Sequence, residues 1–333
     1  MARKRGRGMA VCWYGIARTA PADRSAAWVD IDEGGVVKVM TGIVEIGAGI
    51  RTAVTQIAAH EIGVKPANVV IGDNDTARMP GPSLAGGSRQ TFMVGNVVAL
   101  ACREARKRLV EVMAKVWDVD AALIHTGNGE VWAEGTNHRM TMAEAVNNAK
   151  QRGVIVVGSA NFGIVPSPRL DPVDGSGRPW QSYVFGCHVA EVEVDTVTGE
   201  VQVLGIWAAH DVGRAVNPQG VEGQIEGGIV QALGQGLMED YKLESGRTST
   251  SGFARYIVPT SLDVPQVNSI IVEDPDPTGP LGVKGVGELS LVPTIPAIMN
   301  AIYDAVGVRI TDLPATPEKV LMAIRDATTH AAE

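Results

Sequence analysis

The sequence predicts an α+β fold, and two observations carry that prediction. Strand-like segments with alternating side-chain character occur as hairpins, at residues 28–40 around Glu33-Gly34-Gly35 and at residues 188–206 around Thr198-Gly199. Helical patterns stand apart from these hairpins and do not alternate with single strands in a regular βαβ order. Hairpins mixed with isolated helices are typical of an α+β fold rather than of a doubly wound parallel sheet.

Each hairpin is followed by a glycine-rich loop and then by a helix. In the first half the loop is 42–49, and apolar residues at helical spacing predict a helix over 52–62 that stops at Gly63. In the second half a loop over 211–223 precedes a helix predicted from about Gln224 to Leu237. The shared layout suggests a duplicated architecture.

Two further helices are predicted before the middle of the chain. Residues 97–116 have an amphipathic pattern in which the side expected to face solvent is basic. Residues 142–150 form a shorter helix, because Thr141 and Glu144 have the spacing of a capping box.

A segment dense in proline and glycine divides the chain. We predict a first subdomain over residues 1–162, a linker over 163–182 and a second subdomain over 183–333. The prolines that mark the linker are Pro166, Pro168, Pro172 and Pro179.

Composition excludes several classes of protein. The chain has 333 residues, 45% of them hydrophobic, and a net charge of -8, which argues against a nucleic-acid-binding surface. No apolar run reaches the roughly 18 residues of a membrane span, and the segment from Met9 to Tyr14 is too short for a secretory signal. We therefore predict a cytoplasmic protein. A basic tip is expected to contact a partner subunit or to lie in solvent; it consists of Arg3, Lys4, Arg5 and Arg7.

The cysteines and histidines do not predict a metal centre. Cys12, Cys102 and Cys187 lie far apart, so this chain alone lacks the four thiolates of an iron–sulfur cluster. The histidines have no metal-ligand spacing, and the adjacent pair His210-Asp211 is expected to be scaffold.

The glycine-rich turn from Gly282 to Glu288 is the most informative segment. It places one carboxylate just before an apolar run that predicts a buried helix. A buried carboxylate needs a partner or a chemical task. Two interpretations remain open from the residues alone: a functional carboxylate, or an acid in the first turn of a helix that faces the helix dipole.

The segment Ile46-Gly47-Ala48-Gly49 invites a dinucleotide-binding interpretation, because glycines before a helix can expose backbone N–H groups to a phosphate. Thr52 stands where the third glycine of that motif would be, and the preceding strands look like an antiparallel hairpin. We therefore disfavour a nicotinamide-dependent dehydrogenase but still expect an anion at the start of this helix.

Three motifs, in this order along the chain, resemble the molybdenum hydroxylases of the xanthine dehydrogenase family. They are Gly86-Gly87-Ser88-Arg89-Gln90-Thr91, then Val221 to Gly234, then Gly285-Val286-Gly287-Glu288 with the later segments 302–307 and 313–320. The match covers nearly the whole chain and corresponds to the C-terminal half of a molybdopterin-binding subunit. Within the family the chain most resembles the medium molybdopterin subunits of nicotinate dehydrogenases.

The resemblance implies a role for several residues. Glu288 would be the catalytic base, with Lys284 helping to keep it ionised. Trp13 and Tyr14 would face the substrate, or they form an aromatic pair in the core or at an interface. No side chain would ligate the metal. The residues implied to contact the cofactor are Gly47, Ala48, Gly49, Gly86, Gly87, Ser88, Arg89, Gln90, Gln224, Lys284 and Gly287. Arg89 could instead pair with a nearby acid, and Ala48 stands where the family usually has a glutamine.

The resemblance also implies an activity and an assembly. The expected reaction is hydroxylation of an electron-poor carbon of an N-heterocycle, nicotinate-like or purine-like, with oxygen taken from water. The expected cofactor is molybdenum with molybdopterin in its cytosine dinucleotide form. The expected partners are a large molybdopterin subunit, a subunit with [2Fe-2S] clusters and a subunit with FAD. The alternatives are a member of the family that oxidises aldehydes or carbon monoxide, and a non-catalytic scaffold subunit.

Overall fold

A computed structural model describes residues 2–17, 23–81, 84–164, 170–177 and 179–330. It has an α+β fold with two four-stranded sheets, a three-stranded sheet and a small hairpin, so the predicted fold class is confirmed. The strands are β1 Arg3–Gly15, β2 Asp23–Ile31, β3 Val37–Thr41, β4 Val69–Ile71, β5 Ile124–Gly127, β6 Glu130–Ala133, β7 Arg139–Thr141, β8 Val157–Ile164, β9 Tyr183–Asp195, β10 Val201–Asp211, β11 Leu243–Glu244, β12 Arg247–Thr248 and β13 Gln266–Val272. The helices are α1 Ile50–Ile62, α2 Gly95–Trp117, α3 Met142–Gln151, α4 Pro218–Leu237, α5 Thr294–Val306 and α6 Pro317–His330.

The first sheet has the strand order β4-β3-β2-β8 and packs against α1 and α2. Its hairpin β2–β3 confirms the first predicted hairpin. Alternate residues of β2 are buried, including Ala27, Val29 and Ile31, and they join apolar residues of both helices in one core. The predicted capping box is also present, since Thr141 and Glu144 exchange hydrogen bonds at the start of α3.

The second sheet has the strand order β13-β10-β9-β1 and packs one face against α4 and α5. Its hairpin β9–β10 confirms the second predicted hairpin. The buried residues Ala190, Val192 and Ile206 meet Ile225 of α4 and Ala301 of α5 in a second core. Each half of the chain therefore has its own sheet and its own hydrophobic core.

The two sheets follow the same plan strand by strand. In each one an antiparallel hairpin is extended on one side by a parallel strand and on the other by an antiparallel strand. The parallel strand follows a helix in both halves, as β3–α1–β4 and as β10–α4–β13. The first strand of each βαβ unit thus also belongs to a hairpin. This corrects our reasoning that the hairpin excluded a βαβ unit at residues 42–62.

The first strand does not belong to the half in which it was predicted. β1 pairs along its whole length with β9, so residues 3–15 lie in the second sheet. This departs from the predicted first subdomain of residues 1–162, because a long-range pairing has no signature in the local pattern. In the first half the equivalent position beside the hairpin is filled by β8.

Two helix starts differ from the prediction. α4 begins at Pro218, where the Asn217 side chain accepts a hydrogen bond from the backbone of Gly220, so Gln224 lies inside the helix and does not open it. α5 begins at Thr294, six residues beyond Glu288, so that acid does not lie in its first turn. The interpretation of Glu288 as a first-turn acid is therefore wrong.

None of the helices in the described parts of the chain is long and apolar enough to cross a membrane.

Glycine lets β1 approach α5 closely. A Cβ atom on Gly8 would lie 2.2 Å from the Ala297 carbonyl oxygen and 2.2 Å from the Ala301 nitrogen, and one on Gly6 would lie 2.3 Å from the Ala301 oxygen. These neighbours are backbone atoms of a packed helix, so they cannot rotate away. The strand and helix backbones are in direct contact at both glycines.

We expect Gly8→Ala to lower the free energy of unfolding by about 1–3 kcal/mol, because the added methyl group forces β1 and α5 apart. Urea unfolding measures the change. Gly227→Ala is the control, since a Cβ at that position in α4 meets no atom within 4 Å. Replacing a helical glycine by alanine there is expected to stabilise by about 0.5–1 kcal/mol. Equal stability of the Gly8 variant and the wild type would contradict the close packing.

Candidate active site

A cavity of about 320 Å³ lies between the two halves of the chain. The loop before α1 and the start of α4 form two of its sides. Residues 85–91 of the first half and residues 283–288 of the second half form the others. Segments that are distant in sequence but equivalent in the duplicated plan therefore enclose one space.

The carboxylate of Glu288 is held at this cavity by the 86–91 loop. Gly87 donates its backbone N–H to Glu288 Oε1 at 2.9 Å, and the Ser88 hydroxyl donates to Oε2 at 2.7 Å. The Glu288 backbone N–H in turn donates to Ser88 Oγ at 3.0 Å. Position 87 favours glycine, because its φ of 68° lies in the left-handed region. Glu288 is exposed to the cavity rather than buried, which differs from our expectation.

Tyr14 and Trp13 lie on opposite sides of β1. Tyr14 faces inward, and partial burial, followed by the charge of Glu288 and a hydrogen-bonding interaction with its carboxylate, raises the pKa of Tyr14 to about 12. The phenol thus stays protonated at neutral pH and lies close enough to interact with the Glu288 carboxylate. Trp13 is 69% exposed on the outer side and stacks on Tyr183 at 5.4 Å. This placement corrects the expectation that Trp13 faces the substrate.

The amides at the start of α1 are used by a residue of the same loop. The carboxylate of Glu45 accepts hydrogen bonds from the backbone N–H groups of Gly47, Gly49 and Arg51 at 2.9–3.2 Å. Although partial burial opposes it, these backbone hydrogen bonds lower the pKa of Glu45 below its ordinary value. An external phosphate at this helix start would have to displace the carboxylate, so Gly47 and Gly49 do not form an open anion site as expected. Ala48 and Gly49 still line the cavity.

Arg89 and Gln90 are engaged inside the protein. Arg89 is 1% exposed, and its guanidinium donates to both oxygens of Asp23 at 2.7 and 2.8 Å. The structure therefore has the ion pair with an acid and not the alternative pairing with a phosphate. The Gln90 amide exchanges two hydrogen bonds with the backbone of Val44, which ties the 86–91 loop to the 42–49 loop. Both residues shape the cavity wall; the Arg89 guanidinium is held by Asp23, while the Gln90 amide keeps one N–H and one oxygen lone pair beyond these two bonds.

Lys284 does not support Glu288 directly. Its ammonium lies 2.6 Å from Asp211 Oδ2 and 3.7 Å from Asp274 Oδ2, and the side chain is buried. The expectation that Lys284 keeps Glu288 ionised is therefore wrong, because the lysine is paired with Asp211. Its role is to anchor the 282–288 turn to the end of β10.

Gln224 and Arg214 are polar side chains that line the cavity and stay unpaired. Within the described part of the chain neither the Gln224 amide nor the Arg214 guanidinium has a hydrogen-bond or ion-pair partner. A Cβ atom on Gly86 would meet nothing within 4 Å, so the cavity floor is open next to Glu288. A carboxylate, an unpaired amide, an unpaired cation and bare backbone therefore converge on one space.

The comparisons with known proteins agree with this geometry. Residues 1–265 match the family model described as the molybdopterin cofactor-binding domain. This chain belongs to that family. The predicted membership of the molybdenum hydroxylases is thereby confirmed.

Three relatives illustrate the similarity. The aldehyde oxidoreductase of Megalodesulfovibrio gigas is 32% identical over 97% of this chain and 32% of its own length. The nicotine 6-hydroxylase large subunit of Paenarthrobacter nicotinovorans is 31% identical over 90% of this chain and 36% of its own. The crystal structure of quinoline 2-oxidoreductase from Pseudomonas putida 86 matches with a TM-score of 0.87 and 29% identity, over 98% of this chain and 42% of that one. The chain thus spans less than half the length of these relatives.

The cavity of this molybdopterin-binding domain suits a flat, phosphate-bearing ligand. Bare glycine backbone at Gly86 and Gly49 leaves room for rings, the Gln224 amide can both donate and accept, and the Arg214 guanidinium can pair with a phosphate. Sequence reasoning missed Arg214 and Glu45. Arg214 follows a glycine and precedes Asn217-Pro218, so a cation just before a capped helix was the available signal.

A buried histidine pair lies behind the Glu288 turn of this domain. His188 Nε2 and His210 Nε2 are 2.6 Å apart, and His188 Nδ1 lies 2.8 Å from Thr294 Oγ1. His210 Nδ1 has no partner within the described residues. Because a buried lone pair is left unpaired more readily than a buried N–H, His210 donates through Nε2 and His188 donates through Nδ1. The series of hydrogen bonds continues from there. The Thr294 hydroxyl donates to the Ser290 carbonyl at 3.4 Å, and the Ser290 hydroxyl donates to the Gly287 carbonyl at 2.9 Å.

Both histidines are held neutral by the fold. Burial, and secondarily repulsion from His210, lowers the pKa of His188 from 6.5 to about 3, and burial lowers the pKa of His210 from 6.5 to about 4. Above the pKa that these histidines have in the unfolded chain, neither the folded nor the unfolded chain takes up a proton, so the pair's contribution to stability is fully present. As the pH falls from 6.5 towards 4, the unfolded chain binds protons that the folded chain cannot, and stability is lost.

We expect the free energy of unfolding to fall between about pH 7 and about pH 4, by up to about 1.4 kcal/mol per pH unit for each histidine. Urea unfolding across this range measures the slope. His210→Gln should reduce the slope by up to about 1.4 kcal/mol per pH unit, the contribution of one proton, because it removes one of the two titrating groups. Gln219→Ala, at an exposed residue of α4 that carries no titrating group, is the control with an unchanged slope. An equal slope in the His210 variant would contradict the neutral pair.

Proposed function

We propose that this chain is the molybdopterin-binding subunit of a molybdenum hydroxylase that acts on an electron-poor carbon of an N-heterocycle, nicotinate-like or purine-like. Glu288 is its catalytic base. The observation that carries the proposal is the Glu288 carboxylate, held by Gly87 and Ser88 at the edge of a cavity with unpaired polar groups. The names of two relatives, a nicotine hydroxylase and a quinoline oxidoreductase, support an N-heterocyclic substrate.

The residues of this chain divide the work between holding and proton transfer. Two of the roughly four lone-pair positions of the Glu288 carboxylate are used by Gly87 and Ser88, so the others can accept a proton from the reacting water. The Tyr14 hydroxyl orients the same carboxylate from the protein side. Gln224 and Arg214 bind the cofactor, and Gly86 and Gly287 leave room for the substrate. The molybdenum cofactor supplies the electron acceptor for the oxidation.

The proposal includes partner chains. The relatives that match this chain are more than twice its length. As the family resemblance implies, a large molybdopterin subunit would supply the rest of the active site. A subunit with [2Fe-2S] clusters and a subunit with FAD would carry the electrons away. The cytosine dinucleotide form of the cofactor remains a prediction from the resemblance.

Glu288→Gln in the assembled enzyme tests the base. Glutamine keeps the volume and still accepts the Gly87 hydrogen bond, but it cannot take a proton near neutral pH. We expect kcat to fall by about 10²–10⁴-fold with the bound molybdenum unchanged. Glu226→Gln, an exposed acid of α4 outside the cavity, is the control with normal kcat. Full metal occupancy together with more than about a tenth of the wild-type kcat would refute the assignment.

Gln224→Ala tests the cofactor contact. Losing one or two neutral hydrogen bonds of about 0.5–1.5 kcal/mol each should weaken retention of the cofactor by about 2–100-fold. The molybdenum content after dialysis measures the loss. Gln219→Ala, at an exposed glutamine of the same helix, should keep the wild-type content. Equal retention in both variants would place Gln224 outside the binding site.

A second candidate is a scaffold subunit that keeps the fold without the cofactor. The observation in its favour is that Glu45 already occupies the amides at the start of α1. Metal analysis of the purified complex separates the two candidates, because a scaffold contains no molybdenum. An aldehyde or carbon monoxide as substrate is the remaining alternative. A screen of heterocycles and aldehydes with a dye acceptor distinguishes the substrate classes.

A further inference from the structure

The second sheet has one bare face, and that face is apolar. One side of the sheet packs on α4 and α5, while the side chains of the other side point away from both helices. We call this second side the outer apolar face. Its large exposed members are Met9, Val11, Trp13, Phe185, Trp207 and Ile270.

Strand pairing makes these side chains neighbours. Val11 lies opposite Cys187, which lies opposite Ala209, which pairs with Ile270, so one row crosses all four strands. Met9 begins the adjacent row, which passes through Val189 to Trp207, and Trp13 lies opposite Phe185 in the next. The exposed apolar groups thus form a continuous surface.

The apolar side chains of this face are more exposed than is usual on the surface of a monomeric protein. Val11 is 70% exposed, Trp13 69% and Met9 60%. Contiguous apolar patches of more than a few hundred Å² are uncommon on monomeric proteins and mark interaction sites. Ion pairs lie at one end, where Arg3 and Arg5 are paired with Glu193 and Arg7 with Glu191. An apolar centre with a charged edge is the usual layout of a protein interface.

The first sheet provides a comparison within the molecule, because it has the same strand plan. On its corresponding face Trp28 is 53% exposed and lies opposite Met40, and Val70 is 51% exposed, so this face also has apolar members. Asp30 and Lys38 are paired across the hairpin, and Ser159 lies opposite Trp28. Charged and polar residues therefore interrupt the apolar ones on the first sheet, whereas the row from Val11 to Ile270 on the second sheet is apolar across all four strands.

We propose that the outer apolar face docks the polypeptide that supplies the remainder of the relatives' molybdenum-binding chain. This inference rests on the proposed function and adds the place of docking. Quinoline 2-oxidoreductase carries the matching fold in 42% of its chain, so the larger remainder must pack on some surface of it. A four-stranded apolar face is the surface of this chain that such a body would cover.

The docking surface adjoins the active site through β1. Trp13 lies on the outer apolar face, and the next residue, Tyr14, interacts with Glu288 on the inner side. Glu288 itself is exposed in this chain. A body seated on Trp13 therefore contacts β1 one residue away from the tyrosine that interacts with Glu288.

Photo-cross-linking tests the docking in the native complex. The chain is tagged, produced in its source cells with benzoylphenylalanine in place of Val11, and purified with its partners. We expect a covalent product with a polypeptide whose sequence matches the part of the molybdenum-binding relatives that this chain lacks. The same probe in place of Trp28 is the control and should give no such product.

A charged variant gives an independent measurement. Val11→Asp should reduce the co-purified partner at least about tenfold, because docking would bury an unpaired carboxylate. Trp28→Asp should leave the yield of partner unchanged. Thermal unfolding of both isolated variants checks that they remain folded.

Other outcomes overturn one proposal or the other. If the partner co-purifies with the wild type and also fully with Val11→Asp, without a cross-link at position 11, the docking surface is wrong and the split subunit stands. A cross-link to a second copy of the chain or to an unrelated protein also overturns it. If the active molybdenum enzyme contains this chain without any such partner, the split-subunit proposal fails and the docking inference fails with it.

Discussion

The candidate active site depends on a backbone contact between the two halves of the chain. A Cβ atom on Gly285 would lie only 1.7 Å from the Ser88 carbonyl oxygen, so the 282–288 turn and the 86–91 loop touch main chain to main chain. Only this approach lets Ser88 and Gly87 reach the Glu288 carboxylate. The salt bridge of Lys284 with Asp211 holds the turn on one side, and the Asp23 carboxylate holds the loop through Arg89 on the other. Two buried ion pairs therefore position a carboxylate that they never contact.

The two halves of the chain share one strand plan, but their helix starts at the cavity differ in which polar groups are free. At the first helix start Glu45 takes up the free amides, which leaves that side of the cavity to shape rather than to charge. At the second start Asn217 caps the helix, and Gln224 and Arg214 stay unpaired. A ligand in the cavity thus meets one closed wall and one wall with hydrogen-bonding groups. Together with the Glu288 carboxylate, these few polar groups can fix the orientation of a ligand.

Local signals in the sequence predicted local structure well. Both hairpins and the capping box at Thr141 follow from patterns a few residues long, and they are present. The place of β1 could not be predicted in this way, because its partner β9 is about 180 residues away and a strand pattern does not name its partner. The same limit explains the error at Lys284, which is a sequence neighbour of Glu288 and a spatial neighbour of Asp211. Glu288 itself was identified through the motif, but its two donors lie 200 residues earlier and needed the fold.

The glycines of β1 also determine which aromatic residue faces the Glu288 carboxylate. Side chains alternate along a strand, so sliding β1 by one residue relative to β9 would turn Trp13 towards Glu288 and Tyr14 outward. The same slide would drive Arg5 and Arg7 against the backbone of α5, where the clearances allow only glycine. Gly6 and Gly8 thus allow only one register of β1 against β9. The close packing of β1 on α5 therefore determines that Tyr14, and not Trp13, lies beside the Glu288 carboxylate.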